Sequence, residues 1–218
     1  MGIDMRIEDV LKSFYPGENV LIKYKPDSSP ELLFYILTRL GKDIVVTDIM
    51  DTLSEYCKRL KVVGADICEK LRVVKVGGFR KVGEVYEKME IDKYTLDVEA
   101  YSDLIGKEVI NVVLGLHKLT SILTGEEVLN LVGSISSLIG EKKGVTFYFV
   151  NEDFMNRRGG GVELWNEIAT SIVEWKRVGK RLIFHIVKSA NPSIEDITLG
   201  TTALEVLQAQ YRGNKILE

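Results

Sequence analysis

Glutamine, histidine, cysteine and proline are all scarce in this chain of 218 residues. Two histidines, His117 and His185, and two cysteines, Cys57 and Cys68, are the whole stock of imidazole and thiol. A structural zinc site takes about four such ligands, and no second cysteine pair accompanies the first. No metal site is expected, and the two thiols are read as buried and reduced. Glutamine occurs only at Gln208 and Gln210, while Glu and Lys are plentiful. That bias is the one reported for hyperthermophile proteins. No apolar run approaches the ~20 residues that cross a bilayer, so no membrane partner is expected. The start, MGIDMRIEDV, carries charges where a secretory signal would hold its apolar stretch, and a cytoplasmic protein is expected. A net charge of −3 gives no general ground for nucleic acid binding.

Apolar residue types, by contrast, make up 45% of the chain and charged ones 28%, a balance that folds. The length suffices for one domain with a real core, and without low-complexity linkers or repeats residues 1–218 read as a single domain. Continuous apolar runs predict strands at 19–24, 43–49, 71–78, 108–116, 144–151 and 180–189, with a more exposed one over 82–91. Between them, helical spacing and punctuation by Pro and Gly predict helices over 9–14, 30–40, 52–64, 97–105 and 125–140. Ser29 is placed as the cap of the second helix and Pro30 as its first residue. Residues 163–173 fit helix or strand, and 201–210 are ambiguous. Strands that are apolar throughout and alternate with helices predict a parallel sheet covered on both faces.

Strand order and spacing resemble the RecA-like ATPases, and among them the KaiC-like single-domain proteins of archaea. In that family a strand runs into G-x-x-x-x-G-K-[ST], whose backbone N–H groups and lysine hold the phosphates. Aligned on IKYKPDSSPELL, the first glycine falls at Tyr24, the last at Ser29, the lysine at Pro30 and the hydroxyl residue at Glu31. An additional family glycine falls at Asp27. The magnesium-holding Asp of the second motif falls at Leu114, in VINVVLGL. A late K-x-R-G motif keeps its lysine as Lys188 but has Ala190 and Asn191 at its other positions. The chain also resembles an uncharacterised archaeal family, a domain of unknown function read as RecA-like without the ATPase motifs. The resemblance implies an α/β, three-layer RecA-like (P-loop NTPase-type) domain with a mostly parallel central sheet.

Physical chemistry agrees that the loop cannot hold a triphosphate. A phosphate loop needs glycines to wrap N–H groups round the anion. Pro30 removes a donor and the cationic amine together, and Asp27 and Glu31 bring like charge to the same place. Ser29 and Glu31 instead suit a helix start that satisfies itself. No nucleotide cofactor and no catalytic residue is therefore expected.

Ligands of open α/β sheets bind at the C-terminal ends of the strands. The loops there supply Lys25, Ser28, Asp48, Asp51, Asn151, Glu152 and Arg157, the candidate partner-binding crevice. Asp51 also suits the N-cap of the helix that follows it. His185, inside an apolar strand, reads as a satisfied core histidine. Trp165 and Trp175 read as core or as an oligomer contact. Residues 142–181 hold eight bases against five acids, a weak electrostatic footprint. The functional expectation is a non-catalytic binding domain for a protein or peptide, with self-association allowed. Two rivals come from other classes: a metal-dependent enzyme using Asp48, Asp51, Glu152 and Asp153, and a nucleic-acid-associated subunit.

Overall fold

The computed structural model describes residues 5–41, 43–92, 109–141, 144–157 and 161–213. Its strands are β1 (Asn19–Tyr24), β2 (Ile44–Ile49), β3 (Arg72–Val76), β4 (Glu84–Met89), β5 (Ile110–Leu114), β6 (Val145–Asn151), β7 (Ser171–Val178), β8 (Arg181–Lys188) and β9 (Thr198–Thr202). They form one nine-stranded sheet in the order β4-β3-β2-β5-β6-β1-β7-β8-β9. Every pairing from β4 across to β7 is parallel. The β7–β8 and β8–β9 pairings are antiparallel.

The described helices are α1 (Ile7–Leu11), α2 (Pro30–Thr38), α3 (Thr52–Val62), α4 (Leu116–Thr120), α5 (Gly125–Ser137), α6 (Glu152–Arg157), α7 (Val162–Ile168) and α8 (Ala203–Gly213). Alternate residues of the central strands feed two cores. Val20, Ile22, Phe147 and Phe149 pack with α1, α2 and α3, and Val206 of α8 joins the same core. Leu21, Val45, Tyr148 and Val150 pack with α4, α5, α6 and α7 on the other face. That double burial explains why these strands are apolar throughout. At α5 the sequence TGEE builds a capping box: Glu127 N–H donates to Thr124 Oγ1 at 3.3 Å, and Glu127 Oε2 accepts from Thr124 N–H at 2.7 Å.

The structure corrects several expectations. Residues 163–173 are both helix and strand, since α7 ends at Ile168 and β7 starts at Ser171. The tail begins as edge strand β9, whose TLGTT has no apolar alternation to announce it, and continues as α8. His185 is half-buried on β8, and its Nδ1 lies 2.9 Å from Thr198 Oγ1. The helix expected over 97–105 lies outside the described residues.

The cysteines are not reduced thiols. Cys57 and Cys68 form a disulfide, with their Cα atoms 6.0 Å apart. Cys57 stands on α3, partly buried against the core, and the chain turns back through a single 3₁₀ turn at Cys68–Lys70 before entering β3. That return brings the two sulfurs together across a short loop. An expected cytoplasmic setting does not exclude pairing, since hyperthermophile proteins, whose Glu and Lys bias this chain shares, carry intracellular disulfides.

Candidate functional site

The segment after β1 decides what the strand ends can bind. Pro26–Ser28 is one 3₁₀ turn, closed by Ser28 N–H donating to Lys25 O at 3.0 Å. The Ser28 hydroxyl donates to the same carbonyl at 2.7 Å, and Ser28 is fully buried. Ser29 follows in the left-handed region at φ +52°, and α2 begins at Pro30. Tyr24 pairs with Trp175 in the β1–β7 register, which sets the side chains of β7 against this turn. Trp175 Nε1 donates to Ser28 O at 2.8 Å. Arg177 Nε donates to Asp27 O at 2.6 Å, and Arg177 Nη2 to Ser29 Oγ at 2.8 Å.

A phosphate loop points amide N–H groups at its ligand. Here two of the turn's carbonyls face donors from β7, and no ring of amides forms. Ser29 holds the N-cap position but makes no side-chain cap, because its hydroxyl accepts from Arg177 instead. Glu31 is paired with Arg59 at 3.4 Å. At the second motif Leu114 is fully buried between Asp48 and Phe149 in register. Gly115 follows at φ +92°, pressed so closely on Ile49 O that a Cβ would stand 2.3 Å away. Lys188, the surviving residue of the third motif, donates to Ala169 O at 2.6 Å, just past α7.

A buried ion cluster occupies the end of β2. Asp48 is 1% exposed and accepts from Leu53 N–H at 2.8 Å, so Asp48, not Asp51, caps α3. Its other oxygen accepts from Lys75 Nζ at 2.8 Å. Asp51 stands at φ +61°, which turns its carboxylate away from the helix. That carboxylate accepts from Lys75 Nζ at 2.6 Å and from the N–H groups of Phe79 and Arg80 at 3.2 and 2.9 Å. Gly78 passes close by at φ +75°, and a Cβ there would meet the Asp51 carboxylate at 2.7 Å. Burial alone would raise the Asp51 carboxyl, but Lys75 and the two amides hold it below the usual carboxylate range. For Lys75 burial works to lower the ammonium, and the two aspartates outweigh it, so it is raised.

Of the other predicted residues, Lys25 is exposed directly after β1. Asn151 ends β6 beside Tyr24 in register, and its Oδ1 accepts from Phe154 N–H at 3.1 Å. Glu152 is half-buried as the first residue of α6. Arg157 ends α6, and its side chain lies outside the described residues. The sheet order thus sets Lys25 and Ser28 next to Asn151 and Glu152, while Asp48 and Asp51 stand beyond β5. Among the described residues no three His, Cys, Asp or Glu side chains gather as metal ligands. Nor is any described helix long and apolar enough to cross a membrane.

Sequence reasoning did not reach Lys75, Arg177 or the part played by Trp175. The one available signal was a lysine inside the apolar run VVKV, which demands a buried partner. His117 was also left without a role. It is 6% exposed, and its ring meets Tyr24 and Phe154 edge-on at 6.2 and 5.5 Å. Burial, helped by the Lys118 charge, pushes its pKa down to about 4. Burial likewise pushes the Tyr24 phenol up to about 12.

Residues 9–200 match the family described as a Pyrococcus protein of unknown function, DUF257. The chain belongs to the DUF257 family. None of the curated proteins compared with it matches. A solved Pyrococcus horikoshii OT3 protein, known from a structural project, is 35% identical with a TM-score of 0.79, over 89% of this chain and 98% of that one. An uncharacterised P. horikoshii protein, crystallised in complex with an unknown peptide, aligns with a TM-score of 0.56 at 16% identity, over 89% of this chain and 98% of that one. A KaiC-like protein of P. horikoshii OT3 aligns with a TM-score of 0.52 at 10% identity, over 86% of each chain. The DUF257 chain therefore has the RecA-like fold that its strand order implied.

Proposed function

We propose that this DUF257 chain is a non-catalytic RecA-like binding domain whose strand C-termini take an extended protein or peptide segment. One observation carries the reading. The turn after β1 is held by Trp175 and Arg177, which take up its carbonyls, and it presents no ring of amides to a phosphate. Lys25, Asn151 and Glu152 line the adjoining strand ends, and an extended peptide can pair its own N–H and C=O groups beside them. The structural neighbour crystallised with an unknown peptide supports the same class of partner on the same fold.

Two measurements test it. Calorimetry with millimolar Mg-ATP is expected to give no saturable heat, and a submillimolar dissociation constant would defeat the reading. Pro30→Lys alone is expected to leave that result unchanged, since Trp175 and Arg177 still close the turn. Peptides selected from a displayed library on the whole chain are expected to lose binding when Lys25→Glu and Glu152→Lys reverse the charges of the edge. Selected peptides indifferent to both changes would place the partner elsewhere, with the outer edge strands β4 and β9 the next location to map.

A further inference from the structure

On the α4–α7 face lies a cavity of about 310 Å³. Leu123, Val128, Leu129, Phe154, Met155 and Leu164 make its apolar wall. The polar side chains of the lining come from α4 and its end: His117, Thr120 and Ser121. An apolar cavity of about 150 Å³ holds benzene, so this volume accommodates a ring system with room beside it.

The polar groups restrict what that ring carries. The Thr120 hydroxyl donates to His117 O at 3.1 Å and lies 3.3 Å from Met155 Sδ. The Ser121 hydroxyl donates to Lys118 O at 2.6 Å. Each hydroxyl has spent its only proton and retains lone pairs. The buried Nδ1 of His117 has no partner. The two hydroxyls of the lining therefore have only acceptor capacity left. No carboxylate, lysine or arginine lines the cavity, so a charged ligand would enter without a counter-ion.

We propose that this cavity is a binding site for a neutral aromatic group bearing an N–H or O–H donor, of the indole or phenol class. Apolar wall contacts hold the ring, and acceptors of the α4 segment read the donor. The proposal is independent of the peptide reading, because it concerns a cavity between helices and not the strand ends.

Indole and 1-methylindole are the probes, since they share a ring and differ in the donor. Titrated into the whole chain and followed by amide chemical shifts, indole is expected to saturate at submillimolar concentration. The expected shifts lie at Thr120, Leu129 and Phe154. 1-Methylindole is expected to bind about tenfold more weakly, the difference one unsatisfied buried acceptor makes. Thr120→Val is expected to narrow that ratio. Leu129→Trp, at a position 61% exposed and tolerant of size, is expected to fill the cavity and abolish binding in a folded chain. Absence of saturation by indole in the millimolar range overturns the proposal. Equal affinity for the two probes, or binding unaffected by Leu129→Trp, overturns it as well.

Discussion

Single side chains here hold buried charge or buried neutrality, and both have measurable signs. Lys75 is 4% exposed and sits between Asp48 and Asp51. Lys75→Met leaves the Asp48 carboxylate buried without its cation, and is expected to lower stability by about 3–5 kcal/mol in urea titration. Adding Asp48→Asn should recover part of that loss, because the uncompensated charge is gone. His117 gives the opposite dependence. Its folded pKa is depressed from 6.5 to about 4, so the unfolded chain binds the proton first as pH falls. The penalty is absent above pH 6.5, grows down to about pH 4, then levels off at a maximum of about 3 kcal/mol. His117→Phe is expected to flatten that segment of the stability–pH curve, whatever it does to stability at neutral pH. Two misreadings also belong to this scale. Ser29 and Asp51 both occupy cap positions by type, yet their backbones are left-handed. Whether a side chain reaches the helix N–H groups depends on that torsion, which residue type does not announce.

At the scale of elements, the segments most legible in the sequence were those whose local chemistry agreed with their surroundings. The apolar runs of β1, β2, β5 and β6 read as strands buried on both faces, and the segment after Tyr24, with no glycine and no lysine at the motif positions, read as no phosphate loop. What holds the turn after β1 was not legible, because Trp175 lies 147 positions from Ser28 and meets it only through the β1–β7 register. The candidate residues follow the C-terminal ends of β1, β2 and β6, but their distribution over two places depended on strand order. Trp175→Phe keeps an aromatic ring but removes the pyrrole part of the indole with its donor, leaving Ser28 O unpaired. It is expected to cost about 1–3 kcal/mol by denaturant titration. The cysteines mark another limit, since ten intervening residues are compatible with pairing or with independence. Reduction of Cys57–Cys68 is expected to lower stability by about 3 kcal/mol, read as a fall in melting temperature with added thiol. An unchanged melting temperature in the fully reduced protein would show that the bond adds nothing to the packing of α3 on β3.

The described residues are built on a single sheet, with one core on each face. We propose that residues 1–218 behave as a single domain, and the expected outcome is one cooperative thermal transition with coincident fluorescence and circular dichroism. Two separated transitions would divide the chain, most naturally where the antiparallel β7–β9 extension joins the parallel strands. The disulfide carries one more consequence at this scale. The turn that ends α3 is exposed, with Val62 87% and Val63 49% accessible, and it lies inside the ring closed by Cys57 and Cys68. A protease that nicks the backbone there releases nothing: the amino-terminal and carboxy-terminal pieces stay tethered through sulfur and run as one band until a reductant separates them.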